Sequence, residues 1–144
     1  MIRGLLNSGA MPALERMVQF TGARHRLLLH NIANISTPNF RPTDVSAKSF
    51  QKTLGEAIDR RRSQAGGLHG PLPLSDTRQM EFRPGRVDLT PRPTQDNVLF
   101  HDRNDRNLEV LMKNLAENTM AHNTALELMN NQFDMLRGAI REQA

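Results

Sequence analysis

Two stretches of the chain repeat their apolar residues at helical spacing, and they lie at opposite ends. In the first, Leu14, Val18, Thr21, His25, Leu28, Ile32 and Ile35 follow one another at alternating steps of four and three, which keeps them on one face of an α-helix. Pro12 suits a first helical turn, and Ser8 stands just upstream as a candidate cap. Thr37-Pro38 closes the stretch, because a residue before proline is driven out of the α region. The pattern predicts a helix over residues 11 to 35. In the second stretch, Leu108, Met112, Leu115, Thr119, His122, Leu126, Met129, Phe133, Leu136 and Ile140 keep the same steps, a heptad repeat suited to supercoiling against a partner. No proline interrupts residues 108 to 144, so one helix of roughly 55 Å fits there at about 1.5 Å per residue.

Proline separates the two. Seven of the eight prolines fall between Pro38 and Pro93, and each costs about 3 kcal/mol inside a helix. Ser46 to Arg62 still has the spacing of a short amphipathic helix through Phe50, Leu54 and Ile58. Beyond the glycines at 66, 67 and 70, Met80-Glu81-Phe82 and Arg86-Val87-Asp88-Leu89 flank Pro84-Gly85 as one small hairpin would. The expected fold is mainly α: two long terminal heptad helices paired as an antiparallel hairpin or coiled coil, around an irregular Pro/Gly-rich middle holding at most a short helix and a β-hairpin. This gives three parts, 1–37, 38–103 and 104–144. The middle is expected to bury no core alone.

Composition sharpens this picture. Aromatics are 4% of the 144 residues, all of them Phe, and large rigid side chains dominate most compact cores. Their scarcity predicts that apolar surface is buried against other molecules. The net charge is +4 and the pI about 10.6, with Arg60, Arg61 and Arg62 consecutive and Arg78, Arg83, Arg86 and Arg92 following. Such a balance permits nucleic acid, anionic lipid or acidic protein as a partner. Without Tyr or Trp there is little to stack on single-stranded bases, and the long helices do not gather basic residues on one face, so nucleic-acid binding is a minor alternative. No cysteine is present, no apolar run reaches the roughly 18 residues of a membrane span, and residues 1–20 lack the core of a cleavable signal.

Catalytic constellations are missing. There is no Gly-rich phosphate loop, no nucleophile elbow and no helical His pair at ligand spacing, since His25 and His30 are five apart. Asp96, Asp102 and Asp105 read as helix-entry groups before Leu108. No enzyme activity, cofactor or metal is expected. Thr21 with His25 and Thr119 with His122 place polar residues mid-seam in both helices, and buried polar groups require partners, so these are expected to face each other or water. Met112, Met120, Met129 and Met135 are expected to pack in the core, with adaptation to unlike neighbours as the second reading.

At the end of the first helix stands Asn31-Ile32-Ala33-Asn34-Ile35-Ser36-Thr37-Pro38-Asn39-Phe40. Asn31 and Asn34 lie on one side of the last turn, where short amides can bond carbonyls without intrahelical partners. They suit a cap and turn, contact with a neighbouring subunit, or both. The arrangement resembles the flagellar axial proteins (rod, hook and hook-associated), in which a long amino-terminal helix ends in a similar Asn-Ile-Ala-Asn stretch followed by a small polar pair, proline and an aromatic. The likeness is greatest to proximal rod subunits, through Ala13-Leu14-Glu15-Arg16, Phe20 to Arg26, Leu115-Ala116-Glu117-Asn118, Phe133 and Leu136 to Glu142. It spans residues 7 to 44 and 104 to 142 and leaves the middle unmatched. Asn39 stands where that family has glycine and Phe40 where it has tyrosine; asparagine is the substitute that best tolerates positive φ.

The resemblance implies a structural subunit of the basal-body rod, polymerising through its terminal helices into part of the periplasm-spanning drive shaft. Its partners would be self or homologous subunits, other rod proteins, basal-body components at the rod's inner end, and the flagellar type III export apparatus that delivers it without a cleaved signal. On this reading Asn31, Ile32, Ala33, Asn34, Thr37, Pro38 and Phe40 form an assembly motif. Leu14, Val18, Leu28 and Ile32 form the packing seam with Leu115, Leu126, Met129, Phe133, Leu136 and Ile140. The alternative within the same architecture is a generic coiled-coil adaptor.

Overall fold

The computed structural model describes residues 9–64, 69–94 and 108–142. Three helices dominate: α1 (Met11–Ala33), α2 (Ala47–Ser63) and α3 (Leu108–Glu142). Four short strands lie between them, β1 (Thr43–Asp44), β2 (Met80–Arg83), β3 (Arg86–Leu89) and β4 (Arg92–Pro93), in two antiparallel pairs, β1 with β4 and β2 with β3.

The predicted helices form with small boundary shifts. α1 starts behind Ala10, which makes no side-chain cap bond, while Ser8 lies outside the described residues. Pro12 occupies the first turn, where its missing N–H has no intrahelical role. α1 stops at Ala33, two residues earlier than the spacing suggested, because Asn34 leaves the helical region and caps it. α2 is capped by Ser46, whose hydroxyl accepts from the Ser49 N–H at 3.1 Å. α3 runs 35 residues, about 52 Å at 1.5 Å per residue. The Asp96, Asp102 and Asp105 entry groups lie outside the described residues.

β2 and β3 form the hairpin expected around Pro84-Gly85, in the register Met80↔Leu89, Phe82↔Val87. Gly85 turns at φ +73°, a conformation glycine adopts without a Cβ penalty. Alternation along the strands sends Met80, Phe82, Val87 and Leu89 inward and leaves Glu81, Arg83 and Arg86 exposed. The hairpin tip is bolted to α1 by Arg16, whose Nη1 donates to the Arg83 and Arg86 carbonyls at 2.7 and 3.3 Å.

The core differs from expectation in its place. Phe20, Val45, Phe50, Leu54, Met80 and Val87 form the buried cluster, with Ala13, Met17, Ile58 and Phe82 packed against it. All but Phe20 in that buried set come from the middle of the chain, so the segment expected to bury no core alone supplies most of it, with α1 as the wall it needs. Phe20 and Phe50 stack with centroids 4.0 Å apart, and Phe82 tilts against Phe50 at 6.5 Å. Three of the six phenylalanines meet here, which is how so small an inventory closes a core.

Two further expectations change. Arg61 of the basic triplet turns inward and is 7% exposed, donating from Nη2 to the Gly9 carbonyl and from Nη1 to the Gly70 carbonyl. It thereby ties the start of α1 to the end of α2 instead of contributing to a basic surface. Met112, Met120 and Met135 are 50%, 71% and 59% exposed, not core, and only Met129 is half-buried. Their helical positions point away from the stripe that α1 covers.

Candidate assembly site

The motif at the end of α1 divides into an inner and an outer part. Arg24 and Asn31 are one heptad apart and share the face of α1 turned to β1. Arg24 grips the Asp44 carboxylate bidentately, Nε to Oδ1 at 2.9 Å and Nη2 to Oδ2 at 2.5 Å, the geometry in which guanidinium–carboxylate pairs are strongest. Asn31 is fully buried. Its Nδ2 donates to the Thr43 carbonyl at 2.7 Å and its Oδ1 accepts from the Thr43 N–H at 3.2 Å. One side-chain amide thus satisfies both backbone groups of a residue whose other neighbour is β4. Changing Asp44 to Asn keeps the shape and removes the charge; chemical denaturation is expected to register a loss of about 2 kcal/mol. Asn31→Ala strands both Thr43 groups in the interior, and the same measurement should give about 1–3 kcal/mol.

The outer part is a compact turn. The Asn34 amide donates to the His30 carbonyl at 2.9 Å, the capping role expected of it. The Thr37 N–H then donates to the Asn34 carbonyl at 2.9 Å, and the Phe40 N–H to the Thr37 carbonyl at 3.1 Å. Asn39 takes φ +60°, as its place in the motif requires. Ala33, Thr37 and Pro38 are exposed, Ile32 and Phe40 half-buried, and the Phe40 ring meets His30 edge-on at 5.9 Å. Of the seven motif residues, then, Asn31 is buried within the molecule, and Ala33, Thr37 and Pro38 lie at the surface.

α1 and α3 pack along a seam whose centre is polar. Asn118, 3% exposed, donates to the Thr21 carbonyl at 2.9 Å, and His122 Nδ1 lies 2.8 Å from the Thr21 hydroxyl. That hydroxyl is also 2.7 Å from the Met17 carbonyl. Having one proton, it donates to Met17 when the imidazole N–H donates to it. Gly22 sits under the imidazole, where a β-carbon would lie 3.8 Å from Cε1. Thr21 and His122 therefore do face each other, while Thr119 bonds its own helix at the Leu115 carbonyl.

The stripe of α3 that is buried is Leu111, Asn118 and Ala125, rotated from the expected line through Met112, Thr119 and Leu126. Leu14 and Leu28 of the predicted seam are buried, and Val18, Leu115, Met129, Phe133 and Leu136 half-buried. Leu126 and Ile140, however, are 37% and 60% exposed. Counting only apolar residues hid the rotation. An asparagine that finds a carbonyl and an alanine that allows close approach hold the helix in this orientation, and neither registers as hydrophobic.

A cleft of about 170 Å³ opens between α1, α2 and α3, lined among others by Met17, Phe20, Arg24, Phe50 and Asn118. It is smaller than the roughly 300–1,000 Å³ of ordinary small-molecule sites. Among the described residues, no group of three His, Asp or Glu side chains is placed to hold a metal ion. No described helix is long and apolar enough to cross a membrane.

Against known proteins, the chain aligns with the flagellar basal body rod protein FlgB of Bacillus subtilis (strain 168) at 26% identity over 132 residues, covering 92% of this chain and 93% of that protein. The chain is similar to FlgB rod proteins. The FlgB of Borrelia hermsii matches at 27% over 131 residues, 88% of this chain and 92% of its own length. That of Proteus mirabilis (strain HI4320) matches at 25% over 132 residues, 89% and 90%. No protein-family model matches. The FlgB likeness is broader than the two end segments of the sequence reading: alignments of this length run through the middle, where the core cluster lies.

Proposed function

We propose that this chain is a structural subunit of the flagellar basal-body rod and not an enzyme. The observation that carries the reading is the likeness to FlgB rod proteins along about nine-tenths of both chains, joined to the order of long helix, motif turn and long helix. On this reading the terminal parts, 1–37 and 104–144, pair as an antiparallel coiled coil and polymerise beside neighbouring subunits, while 38–103 braces α1 from its other side. The seam residues left half-buried or exposed, Leu115, Leu126, Met129, Phe133, Leu136 and Ile140, become covered in the array, as does the outer motif of Ile32, Ala33, Thr37, Pro38 and Phe40. Head-to-tail contacts that do not close generate such helical arrays. The subunit then lies in the periplasmic part of the drive shaft, reached through the flagellar type III export apparatus without a cleaved signal. Its neighbours are other rod proteins and the components at the rod's inner end.

The test is mass spectrometry of purified basal bodies from the source cells beside a strain lacking the chain. Stoichiometric recovery, with rods lost on deletion, is the expected result. Absence from the particles, with intact rods in the deletion strain, would leave the generic coiled-coil adaptor.

A further inference from the structure

The polar groups at the centre of the α1–α3 seam meet at one level, and they sit in a repeat that is otherwise interchangeable. Sliding α3 by one heptad brings Leu111 or Ala125 to the level of Asn118, and Leu115 or Met129 to that of His122. Apolar burial changes little in such a slip, since one apolar residue follows another along the stripe. Hydrophobic contact alone therefore leaves register weakly defined.

We propose that Thr21, Asn118 and His122 form a register selector for the pairing of α1 with α3. In the observed register Asn118 satisfies its amide on the Thr21 carbonyl, and His122 meets the Thr21 hydroxyl over Gly22. In a slipped register Leu14 or Leu28 stands where Thr21 does and offers a carbonyl but no hydroxyl, and Glu15 or Leu29 stands where Gly22 leaves room for the imidazole. His122 then loses both its partner and its space, a costly position for a polar group in a seam. The same penalty falls on any heptad-patterned helix that offers α1 an apolar residue at this level. A single buried polar position fixing register against hydrophobic degeneracy is the best-attested use of such groups. This inference concerns the isolated chain and stands apart from the rod reading.

The chain has no cysteine, so introduced pairs report register cleanly. Met17 and Ala121 line the same cleft, and Met17→Cys with Ala121→Cys reports the observed register. Met17→Cys with Asn114→Cys, or with Leu128→Cys, reports a slip of one heptad in either direction. In the otherwise unchanged full-length chain, the 17–121 disulfide should form at least about tenfold faster than either slipped pair, the contrast a buried polar selector imposes. With Asn118→Leu and His122→Leu together, circular dichroism should still report the helices, and the preference should fall to about twofold. His122→Gln, which retains a hydrogen-bonding amide, should keep most of it. An undiminished preference in the double leucine variant would overturn the proposal. So would loss of its helical signal, which would make the polar joint a requirement for pairing and not a selector of register.

Discussion

On the proposed rod-subunit reading, exchanging Phe133 or Leu126 for aspartate should leave the chain folded and keep it out of the rod. Leu126 is 37% exposed and Phe133 half-buried, and neither belongs to the buried cluster around Phe20 and Phe50. A carboxylate at either place stays wetted in the free chain, so circular dichroism of the purified variant should match the parent. Packing beside a neighbour removes that water, and burying an unpaired charge costs several kcal/mol. At 1.4 kcal/mol per factor of ten, one such loss at every contact of a repeating array suffices to stop incorporation. Basal bodies purified from cells making only the variant should contain none of it, and the cells should not swim. Normal rods and motility with either variant would overturn the assignment of these residues to a subunit contact.

The second large effect is local to the free molecule. Phe50→Ala removes the ring that stacks on Phe20 at 4.0 Å and carries Phe82 at 6.5 Å, and large-to-small changes of this kind cost about 3–5 kcal/mol. Domains of ordinary stability have only about 5–15 kcal/mol in all, so the loss is a large fraction of the total. Urea unfolding should shift by that amount, and hydrogen exchange should show α2 and the β2–β3 hairpin losing protection first. Phe82→Ala, at a half-exposed position, should cost clearly less. Equal losses at the two sites would mean that the stack is not the centre of the core.

These two residues illustrate what the sequence could and could not disclose. The helices were legible because periodicity and proline placement act locally: they give helices over 11–35 and from Leu108 onward, against the observed Met11–Ala33 and Leu108–Glu142, and Pro84-Gly85 between alternating runs marked the hairpin. The core was not legible, since nothing in the spacing of Phe50, Met80 and Val87 says that Phe20, some thirty residues earlier, completes them. The rotation of α3 was hidden for a related reason. Asn118 and Ala125 hold their orientation by a hydrogen bond to a backbone carbonyl and by small size, two properties that a count of apolar residues passes over. The motif fared in between: its turn and cap at Asn34 were readable from local chemistry, whereas the Arg24–Asp44 pair required knowing that the chain doubles back.

The manner in which Asn31 holds Thr43 bears on how this contact would look across related sequences. The amide binds the N–H and the carbonyl of residue 43 and no part of its side chain, and every residue except proline offers both groups. Position 43 is thus free to drift while position 31 is held, and no compensating exchange links them. Paired substitution, the usual trace of two residues in contact, would be silent at the very place where the chain is fastened to its first helix.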